Sequence, residues 1–157
     1  MTVLLWRIGT DTPDYGADDM SGEGARRTGG RWNRPGTPMI YASRSIALAC
    51  LETIVHLAAG DLPLNRYLVS VEIPDDVWKT ATILEPKDHV SWDAIPAGLT
   101  SLQAGNQWAT ARISALLLAP SVIVPEENNV LINPAHPAAA RIKAKKLRRW
   151  AYDARLR

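Results

Sequence analysis

Phenylalanine is absent from the 157 residues while tryptophan occurs six times, so every large aromatic side chain here carries a polar handle. There is one cysteine, Cys50, which excludes an internal disulfide; it lies in an apolar run and fits a buried thiol in a reducing compartment. The three histidines, His56, His89 and His136, are scattered and belong to neither an HExxH pattern nor a cysteine-rich knuckle, so no metal site is expected. No apolar run reaches the roughly 20 residues of a membrane span, because Glu52 and His56 interrupt one and Pro120 and Pro125 another. Met1 to Ile8 holds too short an apolar stretch for a signal peptide. Also missing are a Gly-Lys-Ser/Thr phosphate loop, a GxGxxG following a strand, and a GxSxG around Ser121. These absences point to a cytoplasmic protein that does not meet a membrane.

What is present has the balance of a globular chain, with 46% apolar and 22% charged residues, and the length suits a single domain over residues 1–157. The net charge of +2 hides an asymmetry. From Arg141 to Arg157 there are eight Lys or Arg and one acid, a local net of +7, while the rest holds ten bases and fifteen acids, a net of −5. Such a tail could bind nucleic acid by displacing counterions from phosphates, or form a solvated element that meets an acidic partner or the acidic body of its own chain.

The elements read as α+β, a central mixed β-sheet flanked by helices. Val3 to Ile8 is a short strand, residues 9–38 a long Gly-, Asp- and Arg-rich loop, and Met39 to Ala42 a second strand. A helix is expected from Ser45 to Ala59. Asn65 to Ile73 alternates, with Tyr67, Val69, Val71 and Ile73 on one face, and Pro74-Asp75-Asp76 closes that strand. Residues 85–100 are loop-like, Leu102 to Leu118 is read as a helix, and Ser121–Val124 and Val130–Ile132 as a hairpin across Pro125–Asn129.

The segment from Ser45 to Ala59 carries the most chemistry. At 100° per residue Ser45, Ala49, Glu52 and His56 share one stripe, and the remaining circumference is nearly all apolar. A helix of this kind should be largely buried, and burying a carboxylate costs several kcal/mol unless it is paired. Glu52 is therefore either half of an i,i+4 pair with His56 inside a non-catalytic binding module, or a catalytic group. Upstream, Gly22 to Gly36 contains Arg26, Arg27, Arg31 and Arg34 among five glycines, which suits close approach of backbone and forked donors to phosphates, and Trp32 offers a flat surface for a base. Downstream, Ser121 fits a hydrogen-bonding role better than a nucleophilic one, while Asn133 and His136 cap the chain around Pro134 and Pro137.

Taken together, Gly29-Gly30-Arg31-Trp32-Asn33 with Gly36, then Tyr41-Ala42-Ser43, then Leu51-Glu52 with His56, then Pro120-Ser121, then Leu131-Ile132-Asn133-Pro134 with His136-Pro137, resemble the RES-domain family. Leu5-Trp6-Arg7-Ile8 and the ending around Tyr152-Asp153 extend the resemblance over essentially the whole chain. The resemblance implies a fold similar to ADP-ribosyltransferases and the role of toxin in a type II toxin–antitoxin pair, partnered by an Xre-type antitoxin. It also implies NAD+ as substrate, with ADP-ribose passed to a protein such as phosphoribosyl-pyrophosphate synthetase, or to phosphate or water. On this basis Glu52, Arg31, Tyr41 and His56 are the expected catalytic residues, and Arg7, Arg31, Tyr41, Ser121 and Asn133 the expected NAD+-binding ones. Unlike many ADP-ribosyltransferases, the glutamate stands early and on a helix. A homodimer is compatible with this reading, and nucleic acid would be met only through the antitoxin.

Overall fold

The computed structural model describes residues 1–156. Its centre is a seven-stranded sheet built from β1 (Thr2–Thr10), β2 (Ile40–Ser43), β3 (Arg66–Pro74), β4 (Thr82–Ile83), β5 (Leu116–Pro120), β6 (Asn128–Ile132) and β7 (Lys143–Arg149). The spatial order is β4-β5-β6-β2-β1-β3-β7, antiparallel throughout except for the β4–β5 pair. The helices are α1 (Glu23–Thr28), α2 (Ile46–Ile54), α3 (Asp75–Lys79) and α4 (Leu99–Ala111). This is the mixed-sheet α+β architecture expected from the sequence.

The sheet is tightly laddered on either side of one seam. β1 and β3 are in register from Thr2↔Pro74 to Thr10↔Arg66, whereas β1 meets β2 at the single pair Trp6↔Ser43. One face of the seam is closed by a shared core, in which Leu5, Val69, Val71 and Ile73 pack with Ile40, Ala42, Leu116, Val130 and Ile132, while the other face carries a separate cluster in each half. Val69, Val71 and Ile73 of β3 are fully buried with Tyr67 packed alongside, as the alternation requires.

β5 and β6 are covered on both faces. Leu116 and Leu118 face one apolar cluster and Leu117 and Ala119 the other, and Val130 and Ile132 are likewise opposed to Leu131. That double burial is why Leu116–Leu118 resembles a helix in sequence: a continuous apolar run has no period by which to tell the two apart. The expected helix over Leu102–Leu118 in fact ends at Ala111, where Arg112 turns left-handed at φ 52°. The strand expected at Ser121–Val124 lies earlier, at Leu116–Pro120. Residues 121–124 form a turn instead, in which the Ser121 hydroxyl accepts hydrogen bonds from the backbone N–H groups of Ile123 and Val124.

α2 starts where expected, with the Ser45 hydroxyl accepting from the Leu48 N–H at 3.1 Å, but it stops at Ile54 rather than Ala59. The chain closes there in i,i+3 turns, His56 N–H to Thr53 and Leu57 N–H to Ile54, and Gly60 takes φ 76°. Nor is α2 wholly buried: Leu48, Ala49, Cys50 and Ile54 are, while Leu51 and, just past the helix end, Val55 are exposed. Among the described residues no helix is long and apolar enough to cross a membrane.

The basic tail forms the edge strand β7, whose lysines and arginines blunt an open edge. It also meets the acidic body of its own chain: Lys146 bonds both oxygens of Asp11 at 2.8 and 2.9 Å, and Arg141 just before the strand pairs with Asp76.

α4 lies against the arginine-rich loop at Gly105, where an added Cβ would stand 2.0 Å from the Trp32 carbonyl oxygen and 2.7 Å from the Trp32 Cβ. Gly105→Ala should therefore force the helix off the loop and cost about 1–3 kcal/mol, the usual range for overpacking. Thermal denaturation checks this, and an unchanged melting temperature would show that helix and loop are not held in contact.

Candidate active site

A cavity of about 860 Å³ occupies the seam. β1 lines it with Arg7 and Ile8, β2 with Tyr41 and Ser43, α2 with Glu52, β6 with Asn129, and the arginine-rich loop with Gly30 and Arg31. Six strand or helix positions thus converge where β1 and β2 are paired at only one position.

Glu52 is half-buried on the cavity wall. Its Oε1 accepts hydrogen bonds from the Ser121 hydroxyl at 2.6 Å and from Asn129 Nδ2 at 2.7 Å. Both donors come from the β5–β6 hairpin. Asn129 Oδ1 in turn accepts from the buried Ser43 hydroxyl at 2.7 Å. The pair that the helical spacing suggested, Glu52 with His56, does not form: His56 lies past the end of α2, exposed, although it borders the same cavity. Ser121, expected to hold a ligand, is itself fully buried and gives its hydroxyl hydrogen to Glu52.

Arg31 is fixed by the segment that follows β4. Its Nη1 donates to the backbone carbonyls of Trp92 at 3.0 Å and Ala94 at 2.8 Å, leaving its other donors for the cavity it lines. Burial pushes its guanidinium below the ordinary arginine value, and the negative charges of Glu52 and Asp93 act in the opposite sense. Arg7, from the seam side of β1, is lowered in the same way by burial against the opposing charge of Asp19. Its Nε is buried without a hydrogen-bond partner, a condition shared among the described residues only by Trp150 Nε1. Arg7 lines the cavity, which places its guanidinium group to meet an anion there although the Nε itself is covered.

Tyr41 is oriented differently from the expectation. Its hydroxyl donates to Asn33 Oδ1 at 2.6 Å and accepts from the Trp32 N–H at 3.1 Å, so it is committed to the loop and only the ring is offered to the cavity. Asn33, fully buried, spends its amide on the carbonyls of Ala25 and Thr37 and so ties the loop together. Trp32 is no free platform: it is buried and stacked on Trp92, with ring centroids 6.4 Å apart. Arg26 and Arg27 both bond Glu23, and Arg27 also Asp14, which holds the Glu23 carboxyl down at about 2. Asn133 is not part of the cavity lining. It is buried, donating to the Ala109 carbonyl and accepting from the Ala135 N–H, and so pins the end of α4. His136 caps the following turn by accepting from the Ala138 N–H, as the flanking prolines suggested.

The residues that sequence reasoning missed are Asn129 and Ser43. Ser43 stands in the Tyr41-Ala42-Ser43 motif and Asn129 at the end of the segment read from sequence as a turn but found within β6, and nothing in spacing alone joins either to Glu52. Only the β2–β6 register, which sets Ser43 opposite Asn129, does so.

A carboxylate held by two donors, two guanidinium groups and an aromatic ring around one cavity make a site for a ligand with anionic groups and a centre that gains positive charge. The chain belongs to the RES domain family, whose model matches residues 4–155. It is similar to the Prs ADP-ribosylating toxin of Sphingobium sp. (strain YBL2), 59% identical and covering 99% of this chain and 98% of that one. It is also similar to Toxin Res of Yersinia enterocolitica (39% identical, over 78% of this chain and 79% of that one). Among solved structures, the Mycobacterium tuberculosis MbcT–MbcA toxin-antitoxin complex shares the fold, at a TM-score of 0.59 and 18% identity over 99% of this chain and 87% of that one.

Burial raises the Tyr41 phenol well above its ordinary value of 10.0, the donation from Trp32 and the charge of Arg31 acting the other way. A raised value means that the folded state favours the neutral phenol, so this contribution is complete below about pH 10 and is lost as pH rises beyond it. Tyr41→Phe leaves Asn33 Oδ1 and the Trp32 N–H unpaired and should cost about 1–3 kcal/mol at neutral pH. Urea unfolding at neutral and at strongly alkaline pH checks both points: the gap between wild type and variant should narrow at the alkaline end.

Proposed function

We propose that this chain is the toxin of a toxin–antitoxin pair, acting as one RES domain over residues 1–157 in the cytoplasm. It cleaves the nicotinamide–ribose bond of NAD+ and transfers ADP-ribose to a protein target such as phosphoribosyl-pyrophosphate synthetase. The observation that carries this reading is the Glu52 carboxylate, held by Ser121 and Asn129 on the wall of a cavity flanked by Arg7 and Arg31. The name of the Sphingobium relative, similar over nearly the whole length of both chains, supports the reaction class and the target.

The residues present fit the substrate. A cavity of about 860 Å³ falls within the size range of small-molecule sites, and its arginines suit a pyrophosphate. When the bond from ribose C1′ to the nicotinamide nitrogen breaks, its electron pair leaves with nicotinamide and neutralises the pyridinium. Positive charge then develops on the ribose, as in glycoside cleavage. Glu52 stabilises that charge. Arg7, on the cavity wall, and Arg31, fixed by two carbonyls, bind the phosphates, and the Tyr41 ring packs against the nicotinamide side. The acceptor forms the new bond to C1′ and loses its proton to His56, a role supported by the exposure of His56 at the border of the cavity. The cognate partner is an antitoxin, a reading supported by the toxin-antitoxin complex among the structures of the same fold, and its Xre type is what the resemblance to the family implies.

Glu52→Gln, which keeps the shape of the side chain, should lower NAD+ consumption by roughly 10²–10³-fold and abolish growth arrest, with little change in melting temperature. Incubation with labelled NAD+, with and without phosphate and cell extract, checks the acceptor: a labelled protein band supports transfer to protein. Free ADP-ribose or its phosphorylated form would replace it with hydrolysis or phosphorolysis. Undiminished NAD+ loss in the variant would remove Glu52 from the reaction.

A further inference from the structure

The two hydrogen bonds to Glu52 are unevenly placed. Ser121 and Asn129 both donate to Oε1, and among the described residues Oε2 carries no hydrogen bond, so Oε2 is the oxygen left to a ligand. We propose that Asn129, itself oriented by Ser43, is a positioning residue that decides which oxygen of Glu52 faces the cavity. The proposal rests on the reading of Glu52 as the group that stabilises the ribosyl cation.

The two donors are fixed by different means. Ser121 has no choice, since its hydroxyl oxygen already accepts from the N–H groups of Ile123 and Val124 and its one hydrogen goes to Glu52. A primary amide, by contrast, can turn over and present either its oxygen or its nitrogen. Turned over, Asn129 would set Oδ1 against Glu52 Oε1, two acceptors facing each other, and the carboxylate would rotate away. Ser43 opposes that rotation by donating to Oδ1 at 2.7 Å. Ser43 is 3% and Asn129 9% exposed, so water does not compete effectively for either bond. The two stand opposite each other in the β2–β6 ladder, and Ser43 is also the residue through which β2 meets β1 at Trp6. The chain of contacts from the seam through Ser43 and Asn129 to Glu52 thus couples the geometry of the split sheet to the direction of one carboxylate.

Asn129→Ala, Ser43→Ala and Ser43→Thr, together with Glu52→Gln and the Glu52→Gln/Asn129→Ala double variant, test this by NAD+ turnover and melting temperature. Asn129→Ala should lower kcat on the order of 10–100-fold with KM changed no more than about twofold, the cost of a misplaced reacting group. Ser43→Ala should lower it less, and Ser43→Thr, which keeps the hydroxyl, should restore most of the loss. In the Glu52→Gln background Asn129→Ala should add almost nothing, because a residue acting through Glu52 has nothing left to position. Losses that multiply in the double variant, or a Ser43→Thr variant no better than Ser43→Ala, would overturn the proposal. A crystal structure of Asn129→Ala separates it from the functional reading. A Glu52 carboxylate turned off Ser121 supports positioning whatever the substrate is, and one that keeps its place overturns it even if NAD+ is consumed.

Discussion

The single paired position between β1 and β2 is the constraint from which the rest of this molecule follows. A sheet zipped along its full width would leave no room between neighbouring strands about 4.8 Å apart. Here β1 spends its ladder on β3 and touches β2 only at Trp6↔Ser43, so the two halves diverge and a cavity opens in the middle of the sheet rather than beyond its edge. Stability survives because one apolar cluster bridges the seam, Leu5, Val69, Val71 and Ile73 packing with Ile40, Leu116, Val130 and Ile132. The opposite face carries two separate clusters: Leu117, Ala119 and Leu131 pack with Trp32 and Trp108, and Ile8 and Leu68 with α2 and Tyr152.

The cavity's charges are paid for unequally, and that inequality is informative. Taking a carboxylate or guanidinium out of water costs several kcal/mol, and each hydrogen bond to a charged group returns about 1.5–3 kcal/mol. Glu52 has two such bonds on one oxygen and Arg31 has two carbonyls on one nitrogen, while the Arg7 Nε has none. A fold selected for stability alone would pair these groups fully. Groups held in place yet incompletely satisfied are what an anionic ligand with a developing cation would complete.

Where the sequence was legible, it was because one face of an element is buried and the other is not. The alternation of Tyr67, Val69, Val71 and Ile73 marked β3, and Ser45 marked the start of α2 by the oxygen it offers to Leu48. Leu116–Pro120 was opaque because burial on both faces erases periodicity. The end of α2 was overrun because Val55 to Ala59 remains apolar although the backbone has already turned. Among site residues, Glu52 stood out as an acid in apolar surroundings, and Arg31 as part of a glycine-rich loop. Trp32 and Asn133 misled, since an aromatic ring or an amide beside a motif looks the same whether it faces a ligand or the core.

By itself, then, the sequence determined the α+β class, the family, and Glu52 as the carboxylate to explain, because composition, period and motif order are local properties of the chain. Tertiary structure alone decided what holds that carboxylate. His56, one helical turn away in sequence, is carried off by the early end of α2, while Ser121 and Asn129, 69 and 77 residues away, are brought to it by the β5–β6 hairpin. The physical reason is that strand register and the split between β1 and β2 are set by packing between distant segments, which leaves no trace in the spacing around Glu52.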